Sequence, residues 1–299
     1  MSNYRVGLNP LPWVLTANGF DLSVPVLQAA FAEIATTPFT GIHADPPADL
    51  DAAGYADLLA GFGLRPAPGY FSRHFADDDT SEIVEAAKTH AAMQAALGNT
   101  EVFIADSLSE LRKATPAVGA GHDPSVLARV IDNLGAAAEA ITAEGVRPAL
   151  HPHVGSWVEV ESEVRAVLDG IPASVLGFGP DTGHLSWPGM DAASIMREYA
   201  DRIAAMHLKD VHLDQAAAAR EAGVAYHQAT RVDFTIWTEP GRGDIDLLGA
   251  VDALPDTFDG WIIVEVDVPE APTNLESTQI SGQWITDNLG AATFSRGAA

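Results

Sequence analysis

The sequence predicts an α/β fold, the (β/α)8 barrel, from three features of its pattern. Short β-prone apolar runs alternate with alanine-rich helical runs along the chain, which is typical of a parallel sheet wound with helices. Eight such apolar runs are present. Several of them stop at histidine, aspartate or glutamate, and the carboxyl ends of barrel strands are where such side chains meet.

The eight predicted strands set the order of the other elements. From one to eight they span 4–9, 40–43, 64–67, 100–105, 147–150, 175–179, 203–208 and 261–266. Apolar residues at helical spacing predict helices between the strands, at 24–35, 50–61, 81–97, 124–144 and 159–170. Residues 106–123 have a loop-like composition and are expected to form a flexible segment at the rim. Residues 213–245 are too many for an ordinary connection and are predicted to form a lid over the active site.

Length and composition narrow the possible classes of protein. The chain has 299 residues, which fits one barrel domain spanning 1–299. A balance of 16 basic against 41 acidic residues gives a net charge of −25, which disfavours nucleic acid as a partner. Cysteine is absent, which excludes disulfides and thiolate metal sites. No signal peptide pattern or long apolar run is present, so we expect a cytoplasmic protein without membrane contact.

Four predicted strands in the second half end in side chains that bind metals. These are His151, Asp181, His207 and Glu265. Their numbers differ by 30 and 26, one strand–helix unit each, and then by 58, one unit plus the predicted lid. A single histidine at a strand end more often has a structural role, but four ligand-type residues at matched ends favour a metal site. Two imidazoles and two carboxylates suit one divalent ion of Mn, Fe, Co, Zn or Mg.

Other polar and aromatic residues lie near the same strand ends. His184 follows Asp181 by three residues and is expected to contact substrate. Lys209 follows His207 by two, so strand alternation points both side chains into the site, although a plain salt bridge is equally compatible. Glu159 and Glu161 are expected to be carboxylates at a helix N-terminus. Candidates for the wall of a sugar pocket, each also compatible with simple packing, are Trp13, Tyr70, Trp157 and Trp187.

With these residues in hand, the chain resembles the xylose-isomerase-like TIM-barrel superfamily of sugar isomerases and epimerases. Within it, the chain is similar to the inosose (2-keto-myo-inositol) dehydratase branch. The matching motifs span almost the whole chain: G-L-N-P-L-P-W at 7–13, H-P-H-V-G-S-W-V-E at 151–159, D-T-G-H-L at 181–185, H-L-K-D at 207–210, G-R-G-D-I-D at 241–246 and V-E-V-D at 264–267.

The resemblance implies a metal held by an acid at strand five, Asp at strand six, His at strand seven and Glu at strand eight. The matching positions are His151, Asp181, His207 and Glu265. His151 stands where many relatives have Glu, and the dehydratase-like branch tends to have a His-rich motif there. After strand two this chain has His43-Ala44-Asp45 where relatives in that branch often carry Glu, which leaves the substrate open and makes His43 a candidate contact.

The expected chemistry is loss of water from a keto-sugar or keto-inositol through an enediolate, with one divalent ion, manganese first, as Lewis acid. The expected base is Glu265 or His153, and His184 or Lys209 is expected to assist the departing oxygen. The 3-epimerases of the superfamily are expected to use two glutamates, one on each face of the substrate. Because His151 replaces one of that pair, elimination is favoured over epimerisation.

Several alternatives remain open from the sequence. One is a ketose isomerase or 3-epimerase on the same scaffold. Another is a C-glycoside-cleaving lyase subunit that acts on a 3-keto sugar and needs a small partner chain. An apurinic-site endonuclease shares the D-T-x-H motif, but the net charge of −25 opposes DNA binding. A barrel that has lost its metal and only binds a ligand is disfavoured by the intact quartet. We expect a small-molecule substrate and a homo-oligomer.

Overall fold

Eight parallel strands close into a barrel in a computed structural model, which describes residues 4–16 and 19–295. In order around the barrel they are Arg5–Leu8, Gly41–His43, Arg65–Ala67 continued by Tyr70–Arg73, Glu101–Asp106, Arg147–Leu150, Gly177–Phe178, Ala205–Leu208 and Trp261–Val264. All pairings between neighbouring strands are parallel. Bridges from Phe178 to Ile203 and from Asp181 to His207 join strands six and seven. The predicted fold is confirmed.

Strand three is longer than its predicted span, and it changes partner along its length. Its first part pairs with strand two and its second part with strand four. Pro68 interrupts the ladder because it has no N–H to donate. At the adjacent Gly69, a Cβ atom would lie 2.3 Å from the Ala44 carbonyl oxygen, so only glycine fits. Strand three was predicted to end at residue 67, but Tyr70–Arg73 continue the sheet.

Helices cover the outside of the barrel and fill the longer connections. The α-helices are Leu11–Val14, Val24–Ile34, Ala52–Ala60, Thr80–Ala96, Glu110–Ala114, Pro124–Ala143, Glu161–Gly170, Thr182–Ser186, Ala192–Glu198, Leu213–Ala222, Tyr226–Arg231, Leu247–Val251 and Asn274–Asn288. Short 3-10 helices span Ala200–Arg202 and Ala291–Phe294. Two small antiparallel strand pairs join Leu15–Thr16 to Gly19–Phe20 and Asp210–Val211 to Trp237–Thr238. Among the described helices, none has the length and apolar character needed to cross a membrane.

Side-chain alternation along the strands separates two apolar layers. On strand eight, Trp261 and Ile263 point into the barrel, where they pack with Phe103. Ile262 and Val264 point outward and join the core between strands and helices. Because every second side chain of a strand points inward, the next inward position after Ile263 lies just beyond the strand end, at the rim. Polar residues at such positions therefore face the interior of the barrel.

A second apolar cluster lies over the carboxyl-end rim. It consists mainly of residues from the predicted lid, 213–245, packed against Val154 and Trp187. Trp187 and Trp237 form its centre, with ring centroids 5.4 Å apart and both indoles buried. The segment is therefore a packed cover with two helices of its own, and its movement as a lid stays a prediction.

Candidate metal centre

The four side chains at the ends of strands five to eight converge at the rim of the barrel. His151 Nε2 lies 4.0 Å from Asp181 Oδ2, and His207 Nδ1 lies 3.6 Å from the same oxygen. Glu265 Oε2 lies 3.4 Å from His207 Nδ1. Donor atoms bound to one ion at about 2.1 Å are themselves roughly 3 to 4 Å apart, so this spacing suits a shared cation.

Several ligand atoms of this quartet have no hydrogen-bond partner among the described residues. Asp181 Oδ2 and both ring nitrogens of His207 are buried and make no hydrogen bond to the described residues. Leaving buried polar atoms unpaired costs about 1 to 3 kcal/mol each. A divalent ion would satisfy Asp181 Oδ2 and His207 Nδ1 together, so the residues present fit the group.

Charge in the centre is arranged for cation binding. Burial, and then the neighbouring His207, lowers the pKa of His151 well below its usual value, which leaves a neutral imidazole with a free lone pair. Burial opposes ionisation of Asp181, but the Lys209 ammonium and the imidazoles outweigh it and lower the pKa to about 2. Glu265 is likewise held ionised, because Lys209 overcomes the burial that would raise its pKa.

All four residues of the motif D-T-G-H serve this centre. Asp181 uses Oδ1 to accept the His184 N–H at 2.8 Å and caps the short helix, which leaves Oδ2 free to face the quartet. Thr182 Oγ1 donates to the Lys209 carbonyl at 2.6 Å and accepts its N–H at 2.9 Å. A Cβ atom on Gly183 would lie 2.8 Å from Lys209 Cδ, so glycine makes room for the lysine. His184 Nε2 lies 3.2 Å from the lysine Nζ.

Lys209 lies beneath the centre and is fully buried. Its Nζ is 2.5 Å from Glu265 Oε1, 2.7 Å from Asp267 Oδ1 and 3.3 Å from Asp181 Oδ2. The ammonium also lies 4.8 Å from the ring centroid of Trp237. The predicted alternation of His207 and Lys209 is thus seen, and the three acids raise the lysine pKa well above its usual value despite burial.

A cavity of about 370 Å³ opens above the quartet. His151 and Glu265 reach its wall from the quartet. Beside them lie the polar side chains Asn9, His43, Asp45, Tyr55, Tyr70, Ser72, His90 and His153, and an apolar side formed by Pro10, Leu11, Val14, Phe20, Leu22, Leu27 and Pro46. A volume of this size, polar on one side and apolar on the other, suits a small polyhydroxylated ring.

His153 is the imidazole best placed to exchange a proton with a molecule in the cavity. Its Nδ1 lies 2.8 Å from the Val154 carbonyl oxygen, so this nitrogen carries the proton and Nε2 keeps the lone pair. Burial, and then the positive charge of Lys209, lowers the pKa of His153 to about 4. Tyr226 stacks on the ring at 6.2 Å between centroids and holds its orientation.

Comparison with known proteins agrees with this fold. The family described as xylose isomerase-like TIM barrel matches residues 29–287. The chain belongs to this family.

Two curated relatives of this family member cover most of its length. The inosose dehydratase of Geobacillus thermodenitrificans (strain NG80-2) is 23% identical over 295 residues, covering 96% of this chain and 97% of that protein. The rhizopine catabolism protein MocC of Rhizobium meliloti is 26% identical over 278 residues, covering 89% of this chain and 82% of that protein. A solved xylose isomerase-like TIM barrel protein from Mycobacterium smegmatis in complex with magnesium gives a TM-score of 0.72 at 15% identity, covering 98% of this chain and 99% of that one.

Within this xylose isomerase-like barrel, the predicted aromatic wall is only partly present. His43 and Tyr70 line the cavity as expected. Trp13, Trp157 and Trp187 are not among the described residues that line it. The structure therefore moves these three tryptophans from the substrate pocket to packing roles.

Each of the three tryptophans has a different partner. Trp13 donates its indole N–H to Glu33 at 3.0 Å on the neighbouring helix. Arg112 stacks on the Trp157 ring at 4.8 Å. Trp187 is fully buried in the apolar cluster above the rim. Their positions just after strand ends placed them at the rim, but contacts with other elements turned their rings away.

Two of the four expected catalytic residues also lie behind the cavity wall. His184 and Lys209 are fully or nearly fully buried and are not among the described residues that line the cavity, whereas His153 and Glu265 do line it. Direct assistance to a departing oxygen by His184 or Lys209 is therefore not supported by their positions. Lys209 pairs directly with Asp181 and Glu265, and the His184 ring contacts the lysine ammonium.

The structure adds site residues that the sequence alone did not indicate. Asn9 donates its side-chain N–H to Glu265 Oε2. Asp267 pairs with Lys209, and the alternation in V-E-V-D would have placed it beside Glu265. Tyr226 and Trp237 lie in the long segment 213–245, where no local pattern pointed to the site.

The loop that carries His151 and His153 is held by a buried ion network. Arg112 is fully buried and donates to Glu159 at 2.8 Å and to Glu163 at 2.6 Å. Glu159 also accepts the Gly155 N–H at 2.8 Å, within the loop itself. Glu159 was expected to be a carboxylate at a helix N-terminus, but it is a buried partner of Arg112. Residues 106–123 were expected to be flexible, but they contain a short helix, Glu110–Ala114, that carries Arg112 into this network.

Replacing Arg112 with Ala is expected to lower the free energy of unfolding by about 3 to 5 kcal/mol, because Glu159 and Glu163 lose their cation while buried. Denaturant unfolding followed by circular dichroism measures the change. The matched control is Arg165→Ala, which removes another arginine that bridges two glutamates, Glu161 and Glu198, at the surface. Solvent screens that pair, so little change is expected. Equal losses in the two variants would contradict the role assigned to the buried network.

Proposed function

We propose that this chain is a divalent-metal-dependent dehydratase that removes water from a keto-inositol or keto-sugar. The buried quartet of two imidazoles and two carboxylates beside a cavity of about 370 Å³ carries the proposal. The full-length similarity to a protein named inosose dehydratase supports the substrate class. The second relative, a rhizopine catabolism protein, is also consistent with it.

The ion would be held by His151, Asp181, His207 and Glu265. When bound, it supplies Lewis-acid chemistry to a ketone oxygen and a neighbouring hydroxyl of the substrate. Manganese is our first choice, because hard carboxylate oxygens and imidazoles together suit it and it leaves coordination positions for substrate oxygens. Magnesium, cobalt, iron and zinc are compatible with the same donors.

The proton steps fall to His153. His153 lines the cavity and its Nε2 has a free lone pair, so it can take the proton from the carbon next to the ketone. The resulting imidazolium can pass that proton to the departing hydroxyl, so the net loss is one water. Glu265 is the weaker candidate for the base, because Asn9 and Lys209 already occupy its two oxygens.

Epimerisation is the second candidate function, and the donor set disfavours it. Proton return on the opposite face needs a second base there, and the position where relatives carry a glutamate holds His151, whose Nε2 faces Asp181. A C-glycoside lyase subunit would use the same enolisation but needs a partner chain. We also propose that residues 1–299 form a single domain. We further propose that the chain forms a homo-oligomer, and light scattering measures the mass of that assembly directly.

Incubation of the manganese-loaded protein with 2-keto-myo-inositol in heavy water tests the proposal. The expected product is one water lighter than the substrate, as seen by mass spectrometry. A product of unchanged mass, apart from deuterium exchange, would assign the chain to the isomerases or epimerases instead. Absence of any conversion by a fully loaded protein would overturn the substrate class.

A further inference from the structure

Four ligand-type atoms surround the Lys209 ammonium in the way that donors surround an ion. Nζ lies 2.5 Å from Glu265 Oε1, 2.7 Å from Asp267 Oδ1, 3.2 Å from His184 Nε2 and 3.3 Å from Asp181 Oδ2. Donor atoms of Asp181, His184 and Glu265 lie within 4.8 Å of one another, a spacing that ligands of one metal ion can have. We name these four residues the lysine cage.

The lysine cage shares two acids with the proposed metal quartet. The Glu265 carboxylate lies between the two groups: Oε2 is 3.4 Å from His207 Nδ1, whereas Oε1 is 2.5 Å from Lys209 Nζ. Asp181 Oδ2 likewise lies 3.6 Å from His207 Nδ1 and 3.3 Å from the ammonium. Carboxylates that lie between two cations in this way are the bridging ligands of two-metal centres.

We propose that Lys209 is a built-in second cation, which fills the other half of a two-cation centre so that the chain takes one exchangeable ion. The proposal rests on the proposed function for the first ion only. Three carboxylates, those of Asp181, Glu265 and Asp267, then face one divalent ion and one ammonium, and the formal charges are −3 and +3 when all three acids are ionised. A second divalent ion in place of the ammonium would leave a net positive charge.

The fold makes this ammonium a permanent part of the centre. Thr182 holds the Lys209 main chain at both its N–H and its carbonyl, and Gly183 leaves the channel that the side chain follows. Trp237 covers the ammonium from above at 4.8 Å. Lys209 has no exposed surface and does not border the cavity among the described lining residues, so it contacts neither solvent nor substrate. Its role is to neutralise and orient Asp181 and Glu265.

The number of bound ions distinguishes this role from that of an ordinary salt bridge. The purified wild type and Lys209→Ala are dialysed against manganese, and bound metal per chain is measured by plasma mass spectrometry. We expect one ion in the wild type and two in Lys209→Ala, with the electron paramagnetic resonance signal of a coupled manganese pair in the variant only. The number of ions bound by the wild type tests the proposed function. The one additional ion expected in Lys209→Ala tests the role proposed for Lys209 in the lysine cage.

Three controls make the result specific. Lys209→Met fills the channel with an uncharged chain whose thioether is a poor manganese ligand, so its ion count is expected to stay that of the wild type. Adding Asp267→Asn to Lys209→Ala is expected to remove the extra ion, because Asp267 belongs to the lysine cage and not to the quartet. Lys209→Ser is a second small variant should the first fail to fold. If neither small variant binds one ion more than the wild type, the proposal is wrong.

Discussion

Replacing Asp181 with Asn is expected to abolish metal retention and lower turnover by about a thousandfold or more. Loss of Lewis-acid stabilisation removes several kcal/mol, and each 1.4 kcal/mol is about a factor of ten. The asparagine keeps an oxygen that can accept the His184 N–H and cap the helix, so the fold is expected to persist. Metal content by plasma mass spectrometry and turnover by mass spectrometry of the product are measured on the same sample.

The matched control is Asp191→Asn. Asp191 also caps a helix, accepting the Ser194 N–H at 2.9 Å, but it is exposed and lies outside the quartet. This variant is expected to retain wild-type metal content and turnover. An Asp181→Asn protein that is free of metal and yet fully active would refute the metal scheme.

Replacing His153 with Gln is expected to lower turnover by about 10² to 10⁴-fold and to leave metal content unchanged. That range is the usual contribution of a positioned general base. The two readouts separate a proton-transfer role from ligation, because His153 lines the cavity and lies outside the quartet.

His227→Gln is the control for the second prediction, since His227 is exposed and follows Tyr226 on the same short helix. It is expected to behave as the wild type does. If His153→Gln retains full turnover, the base must be sought at Glu265. If it loses its metal, His153 belongs to the ligand set.

Strand alternation is the reason that some side chains of the centre could be predicted from the sequence. The inward direction of His207 and Lys209 followed from their spacing of two, and the structure has both side chains at the same centre. The same rule applied to strand eight would have paired Asp267 with Glu265. The predicted strand ends agree with the observed ones to within a few residues, except in strand three. That strand continues beyond its predicted end and pairs there with strand four.

The roles predicted for residues next to strand ends were wrong where a contact with a second element decides the direction of the side chain. Trp187 follows a strand end, but residues 213–245 bury it against Trp237. Glu159 precedes a helix, but its partner Arg112 comes from another loop of the barrel. Contacts of this kind join residues far apart in the sequence, so a local pattern carries no information on them.

The amino-acid sequence by itself determined the barrel and the four side chains of the quartet, because hydrophobic period and the direction of successive side chains are local properties of a strand. Only the tertiary structure decided which polar residues border the cavity and which remain behind it. It also decided that the Lys209 ammonium lies among three acids and an imidazole. Burial and charge pairing depend on the packing of several strands at once, and that packing exists only in the folded chain.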